Sequence, residues 1–135
     1  MQSIIVDAGP LIALFQKRDK HHSRVTRFLS ANPARLVSTL PVVTEACYFL
    51  NAQGKTALLV WIQRGGLALQ PIGADDLPEI AAIVRRYADR EIDFADATLV
   101  WVADLIATLD VMTIDRRDFE VYRARGGRAF NLVLS

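Results

Sequence analysis

The chain has 135 residues, of which 52% are hydrophobic and 23% charged, and its formal net charge at pH 7 is +1. This composition excludes an intrinsically disordered chain, and the length fits one domain with a sizeable core. The lone Cys47 excludes an internal disulfide, and Asp104 and Asp110 interrupt the longest apolar run before it could span a membrane. Because the amino terminus shows no secretory signal pattern, we expect a cytoplasmic protein that does not enter the membrane.

Hydrophobic runs and turn residues predict strands and helices that alternate along the chain. In chain order they are strand 3–6, helix 9–15, helix 19–30, strand 35–38, helices 41–52 and 55–65, strand 67–72, helices 75–89 and 94–109, strand 111–114, helix 116–123 and strand 129–135. Parallel neighbouring strands need crossover connections, which the helices supply. The pattern therefore predicts one α/β domain over residues 1–135, with a mostly parallel central sheet and helices on both faces.

Charge is divided unevenly along the chain. Residues 1–35 carry six basic side chains against two acidic ones, whereas residues 72–109 carry eight acids against three arginines. This division fits a polyanionic partner that approaches an acidic centre, and it fits an ordinary mixed surface equally well. Charge alone therefore leaves nucleic-acid binding open.

Two aspartates directly follow predicted strands, Asp7 after the first and Asp115 after the fourth. Ligands of an open parallel sheet gather at the carboxyl ends of its strands. If the two strands are parallel, both carboxylates project at the same edge of the sheet. Each aspartate alone is also explained as the cap of the next helix or turn, so it is their joint placement that favours a site.

Two further acids lie beside apolar helix faces. Glu45 is predicted on the buried face of its helix. The alternatives to a functional carboxylate are a partner arginine, an edge position and a misjudged helix phase. Asp93 suits the N-cap of a later helix, and Asp96 stands in the first turn of that helix. Since capping needs only one of these two aspartates, Asp96 is expected to face the same edge of the sheet as Asp7.

Together the acids predict a site for a hard metal ion. Carboxylates that converge on one cleft repel one another and destabilise the fold unless a cation lies among them. The expected ligands are Asp7, Glu45, Asp96 and Asp115. Oxygen ligands favour Mg²⁺, with Mn²⁺ as the alternative, and such an ion can activate water and neutralise charge on a phosphoryl group.

Four segments of the chain resemble, in order and spacing, the acidic motifs of PIN-domain proteins. They are IIVDAGPLIALF, PVVTEACYFL, DFADATLVWVAD and TIDRRDF. In a chain this short they resemble the VapC toxin ribonucleases of type II toxin and antitoxin pairs. By this resemblance Asp7, Glu45, Asp96 and Asp115 match the family's acidic cluster, and Asp7 and Asp96 match its direct metal ligands. The resemblance also implies that Asp93, a frequent but less constant companion of the matching aspartate, is an optional further ligand.

The resemblance implies a PIN-like three-layer fold and a metal-dependent endoribonuclease toxin that hydrolyses phosphodiester bonds in RNA. It also implies a homodimer and a cognate antitoxin that neutralises the enzyme. Family members often carry Ser or Thr soon after the first aspartate, whereas Ala8 and Gly9 stand here. Support for the metal ligands is therefore expected from Thr113 or from backbone groups.

Arg116 and Arg117 directly follow Asp115. We expect them to bind RNA phosphate beside the acidic cleft, although a solvated pair at a helix start explains them equally well. Two other functions remain open. One is a phosphatase or phosphoacceptor domain with Asp7 as the covalent site. Gly9 argues against this function, because such a phosphatase usually has a second acid at that position. The other is a non-catalytic module that binds RNA or an antitoxin, which only a cleavage assay separates from the nuclease.

Overall fold

The computed structural model describes residues 2–134, in which helices surround a central sheet. The elements in chain order are β1 (Ser3–Val6), α1 (Ala8–Phe15), α2 (His22–Ala31), β2 (Arg35–Ser38), α3 (Leu40–Tyr48), α4 (Ala52–Gln63), β3 (Ala68–Leu69), α5 (Leu77–Arg86), α6 (Phe94–Ile106), β4 (Asp110–Met112), α7 (Arg116–Phe119), β5 (Arg123–Ala124), β6 (Arg128–Ala129) and β7 (Asn131–Leu132). Short 3-10 turns occupy Ala74–Asp76, Ala88–Arg90 and Arg125–Gly127. Within this part of the chain, no helix is long and apolar enough to cross a bilayer.

Five strands form a parallel sheet in the order β3-β2-β1-β4-β7. Ile5 of β1 lies opposite Val37 of β2 on one side and Val111 of β4 on the other. β1 is thus the middle strand, and the residue that follows it lies at the centre of the sheet's carboxyl edge. The prediction of a largely parallel sheet is confirmed.

Helices cover both faces of this sheet. Successive side chains of a strand point to opposite faces, yet Ile4, Ile5 and Val6 are all at most 2% exposed. The most enclosed helix is α6, in which every residue from Ala95 to Ala103 is buried. A helix that is apolar all round belongs in a core, so the first turn of α6 is held firmly against the sheet.

Several predicted boundaries of helices and strands were wrong. The fourth helix begins at Ala52 rather than residue 55, because the Asn51 side chain caps it by accepting a 2.8 Å hydrogen bond from the Gly54 N–H. The strand predicted over 67–72 is only Ala68–Leu69 in the structure. The strand predicted over 111–114 is Asp110–Met112.

The carboxyl-terminal part departs furthest from the prediction. The helix predicted over residues 116–123 ends at Phe119, and β5 then pairs with β6 as an antiparallel hairpin. Gly126 and Gly127 adopt φ of 79° and 78°, a conformation that glycine accepts readily and that lets the chain reverse. Of the strand predicted over 129–135, only Asn131–Leu132 joins the sheet, and residue 135 lies outside the described residues.

Candidate active site

Asp7 lies at the centre of the carboxyl edge and caps α1. Its Oδ1 accepts a 2.8 Å hydrogen bond from the Ala8 N–H, and its Oδ2 accepts one of 2.8 Å from the Thr113 hydroxyl. The Asp7 N–H donates to the Met112 carbonyl at 3.0 Å, which extends the pairing of β1 with β4. Burial raises the pKa of the Asp7 carboxyl above its usual value, although the two hydrogen bonds oppose this shift.

The absence of Ser or Thr after Asp7 has a steric reason at Gly9. A Cβ at this position would lie 3.0 Å from Cγ1 of Ile114, which is a tight contact. The glycine therefore lets the first turn of α1 approach the segment that follows β4. The hydrogen bonds to Asp7 come instead from a backbone amide and from Thr113, the two sources expected from the sequence.

Asp96 stands in the first turn of α6 and is only 8% exposed. Its backbone N–H donates a 2.8 Å hydrogen bond to Oδ1 of Asp93, the N-cap of the helix. Its own Oδ2 accepts a 3.0 Å hydrogen bond from the Tyr122 hydroxyl. Burial, reinforced by the negative charges of Asp7 and Asp93, raises the pKa of Asp96 to about 8.

Asp7 and Asp96 line one cleft of about 270 Å³. Six carboxylates line it: Asp7, Glu45, Asp93, Asp96, Asp115 and Asp118. The structure therefore brings together the five acids singled out in the sequence, although they come from four separate segments. Their role as ligands stays a prediction.

Glu45 and Asp115 occupy the rim of this cleft rather than its floor. Glu45 was predicted on the buried face of its helix, but it is exposed, and Val42 and Ala46 are the buried residues of that helix. Partial burial, together with the charges of Asp93 and Asp7, still raises the pKa of the Glu45 carboxyl. An edge position, one of the alternatives for this residue, is the one the structure adopts.

Asp115 is exposed and caps α7. Its oxygens accept hydrogen bonds from the Arg117 guanidinium, of which the shorter, to Oδ2, is 2.6 Å. These bonds lower the pKa of Asp115 to about 2. Arg116 is also engaged, because its guanidinium donates a 2.7 Å hydrogen bond to the Leu134 carbonyl. Phosphate binding by these two arginines stays a prediction.

Comparisons with known proteins identify the family of this chain. A family model described as the PIN domain matches residues 4–124. The chain belongs to the PIN-domain family. Ribonuclease VapC26 of Mycobacterium tuberculosis is 31% identical to this PIN-domain protein over 134 residues, which are 96% of this chain and 99% of that relative.

A solved structure shows the same fold. The crystal structure of Mycobacterium tuberculosis VapC20, described as a Sarcin-Ricin loop cleaving toxin, matches with a TM-score of 0.75. The match covers 83% of this PIN-domain chain and 89% of that one, at 22% sequence identity. The three-layer architecture expected from the sequence is thereby confirmed.

The sequence analysis of this PIN domain missed two residues of the site: Asp118, which lines the cleft, and Tyr122, which contacts Asp96 from the core. Asp118 lies in α7, half-buried, and forms a 2.9 Å ion pair with Arg90. Its position three residues after Asp115 was a usable signal, because residues three apart share one face of a helix. Tyr122 gave no such signal, since its partner Asp96 is 26 positions away in the sequence.

The donor set of the cleft fits a hard cation. PIN-domain nucleases of the VapC type are generally metal-dependent. In residues 2–134, no three acidic, histidine or cysteine side chains already stand in an arrangement that holds one ion. However, burial and mutual repulsion raise the pKa values of Asp7 and Asp96, and a cation among these oxygens would remove that cost.

Proposed function

We propose that this PIN domain is a metal-dependent endoribonuclease toxin of the VapC type, which hydrolyses phosphodiester bonds in RNA. The observation that carries the proposal is the convergence of Asp7 and Asp96 on one cleft at the carboxyl edge, both with raised pKa values. Such an arrangement is unfavourable in a purely structural role. The 31% identity to Ribonuclease VapC26 over nearly the whole chain supports RNA as the substrate.

In this mechanism Asp7 and Asp96 would hold Mg²⁺ directly, and Glu45 and Asp115 would complete the acidic cluster, with Asp93 as an optional further ligand. Mg²⁺, or Mn²⁺ in its place, would supply Lewis acidity there, which would lower the pKa of water and offset charge on the phosphoryl oxygens. Hydrogen bonds from Ala8 and Thr113 keep the Asp7 carboxylate in a fixed orientation.

The rim residues act on the substrate and on protons. Glu45 is exposed and has a raised pKa, so it is suited to accept the proton that the attacking water loses. Arg116 and Arg117 supply positive charge for the RNA backbone next to the carboxylates. Because α7 presents both arginines close to Asp115, RNA would enter along this side of the cleft.

Protein partners belong to the same proposal: a cognate antitoxin that neutralises the toxin, and a second copy in a homodimer. Large apolar side chains are exposed on the described surface, among them Tyr48 (83%), Phe49 (58%) and Leu59 (53%). Exposed apolar groups of this size support contacts with another protein chain. The kinship with Ribonuclease VapC26 supports the antitoxin partner.

The test is incubation of purified, antitoxin-free protein with total RNA in Mg²⁺, in Mn²⁺ and in chelator. We expect cleavage with either metal, none in chelator, and none by Asp7→Asn or Asp96→Asn. Asp75→Asn is the matched control, because Asp75 is an exposed acid that does not line the cleft. Cleavage that persists in chelator refutes the metal mechanism, and RNA binding without cleavage by the wild type favours the non-catalytic module.

A further inference from the structure

Tyr122 reaches Asp96 from inside the core. Its hydroxyl donates a 3.0 Å hydrogen bond to Oδ2 of the carboxylate, while the whole residue is only 2% exposed. Among residues 2–134, Asp96 Oδ1 accepts no hydrogen bond, and Asp96 lines the cleft. One carboxylate oxygen is thus tied to the core, and the other remains for a ligand.

The Tyr122 ring is held on two sides by aromatic rings. The centroid of Tyr87 lies 5.0 Å away and that of Phe119 lies 5.1 Å away, both in edge contacts. Edge-to-face packing of this kind adds to the burial energy and restricts the ring. The hydroxyl therefore has a defined position relative to the first turn of α6.

The Tyr122 backbone is equally constrained. Its N–H donates a 3.0 Å hydrogen bond to the Asp118 carbonyl, and its own carbonyl accepts one of 2.9 Å from the Arg123 guanidinium. These contacts join Tyr122 to α7, which carries Asp118 into the cleft. A shift of the ring would therefore disturb several other bonds, so the hydroxyl cannot simply follow a carboxylate that turns.

We propose that Tyr122 is a positioning residue of the metal site, which orients the Asp96 carboxylate so that Oδ1 is presented to the ion. This inference rests on the proposed function, because it takes Asp96 as a metal ligand. A hydrogen bond from a fixed donor holds a ligating carboxylate in one orientation. Partners that orient ligands in this way are worth roughly 10- to 100-fold in metal affinity.

The chain offers a matched pair of variants. Tyr122→Phe removes only the hydroxyl that contacts Asp96 and keeps the ring, so no cavity forms. Tyr87→Phe removes a hydroxyl from the same aromatic group, but that hydroxyl accepts a 2.7 Å hydrogen bond from the Arg123 N–H and does not contact Asp96. A general loosening of the aromatic packing would affect both variants alike.

The experiment measures Mn²⁺ binding to the antitoxin-free protein by calorimetry, without RNA and at one pH. We expect Tyr122→Phe to raise the apparent Kd by roughly 10- to 100-fold and Tyr87→Phe to leave it unchanged. Circular dichroism and thermal unfolding in chelator confirm that both variants are folded.

The possible results separate this inference from the proposed function. The positioning role is refuted if Tyr122→Phe binds Mn²⁺ as tightly as the wild type, or if Tyr87→Phe loses as much Mn²⁺ affinity as Tyr122→Phe does. Neither result contradicts the proposed nuclease function. If the wild type binds Mn²⁺ with the expected difference but never cleaves RNA, the nuclease proposal fails and the positioning role stands. If the wild type binds no Mn²⁺, both are refuted.

Discussion

The hydroxyl of Thr113 donates a 2.8 Å hydrogen bond to Asp7 across 106 positions of sequence. The same hydroxyl lies 3.2 Å from the Asp115 carbonyl, so it joins the two segments that follow β1 and β4. Thr113 is 1% exposed, and water cannot easily replace its hydroxyl. This contact couples the orientation of a carboxylate in the cleft to the shape of the loop that leads to α7.

Thr113→Val should weaken metal binding. The substitution keeps the side-chain volume but leaves Oδ2 of Asp7 without its donor, so we expect the Mn²⁺ Kd to rise by about tenfold. Thr98→Val is the matched control, because the buried Thr98 hydroxyl contacts Thr39 at 2.7 Å rather than Asp7. Both variants should lose about 1 kcal/mol of unfolding free energy, and only the first should lose metal affinity. Equal Kd values for the two variants would contradict this role.

The metal-free protein should become less stable as pH rises. The pKa of Asp96 is about 8 when folded against 3.8 ordinarily, so between these values the folded state holds a proton that the unfolded chain releases. The contribution of this retained proton to the free energy of unfolding is fully present below pH 3.8 and is lost as pH rises through about 8. Urea unfolding in chelator should show a decrease of up to about 4 kcal/mol between pH 5 and pH 8.

Asp96→Asn is the control for this pH dependence. An amide cannot titrate, so the decrease in stability should be much smaller, with a remainder from Asp7, whose pKa is also raised. Mg²⁺ added at pH 8 should restore stability to the wild type, because metal binding replaces the proton. A wild-type stability that rises between pH 5 and pH 8 in chelator would show that Asp96 is ionised in the folded state.

The central part of the site could be predicted because its signals are local. A short apolar run followed by an acid places Asp7 at a strand end, and a capping aspartate before an apolar helix places Asp96 in the first turn. Both signals depend on neighbours within a few positions, and the parallel arrangement of β1 and β4 then brings the segments together. The resemblance to the motifs of the PIN-domain family then assigned these acids to one cluster.

The rest of the site depends on contacts that no local pattern records. The sequence pattern of residues 116–123 predicts a helix throughout. In the structure the helix ends at Phe119, and the chain then forms a hairpin that reverses at Gly126 and Gly127. Tyr122 meets Asp96 only because of this change of direction. Glu45 was misplaced for a similar reason, since helix periodicity cannot distinguish a buried face from the rim of a cleft.

Asp118→Asn should reduce metal affinity more than Asp115→Asn does. Each of these acids pairs with an arginine, Asp118 with Arg90 and Asp115 with Arg117. However, of the two it is Asp118 whose charge raises the pKa values of Asp7 and Asp96. We expect Asp118→Asn to raise the Mn²⁺ Kd several-fold more than Asp115→Asn in parallel calorimetric titrations. The reverse order would establish Asp115 as the ligand that the sequence motif indicates.

Arg117→Ala should weaken RNA binding uniformly and reduce its salt dependence. The Arg117 side chain is 85% exposed, so its only described ion pair, with Asp115, is open to exchange for a phosphate. In an Asp96→Asn background, which prevents cleavage, the slope of log Kd against log salt should fall by about 0.7 to 1. Arg35→Ala is the control, since Arg35 begins β2 at the opposite edge of the sheet.

The ion pair between Arg117 and Asp115 allows a second test of RNA affinity. Asp115→Asn removes the carboxylate that competes with phosphate for the Arg117 guanidinium, so RNA binding should tighten where Arg117→Ala weakens it. In the double variant the gain should be lost, because no guanidinium remains to be freed. Tighter binding by Asp115→Asn that persists without Arg117 would mean that simple removal of negative charge near the cleft, rather than phosphate contact by this arginine, governs RNA affinity.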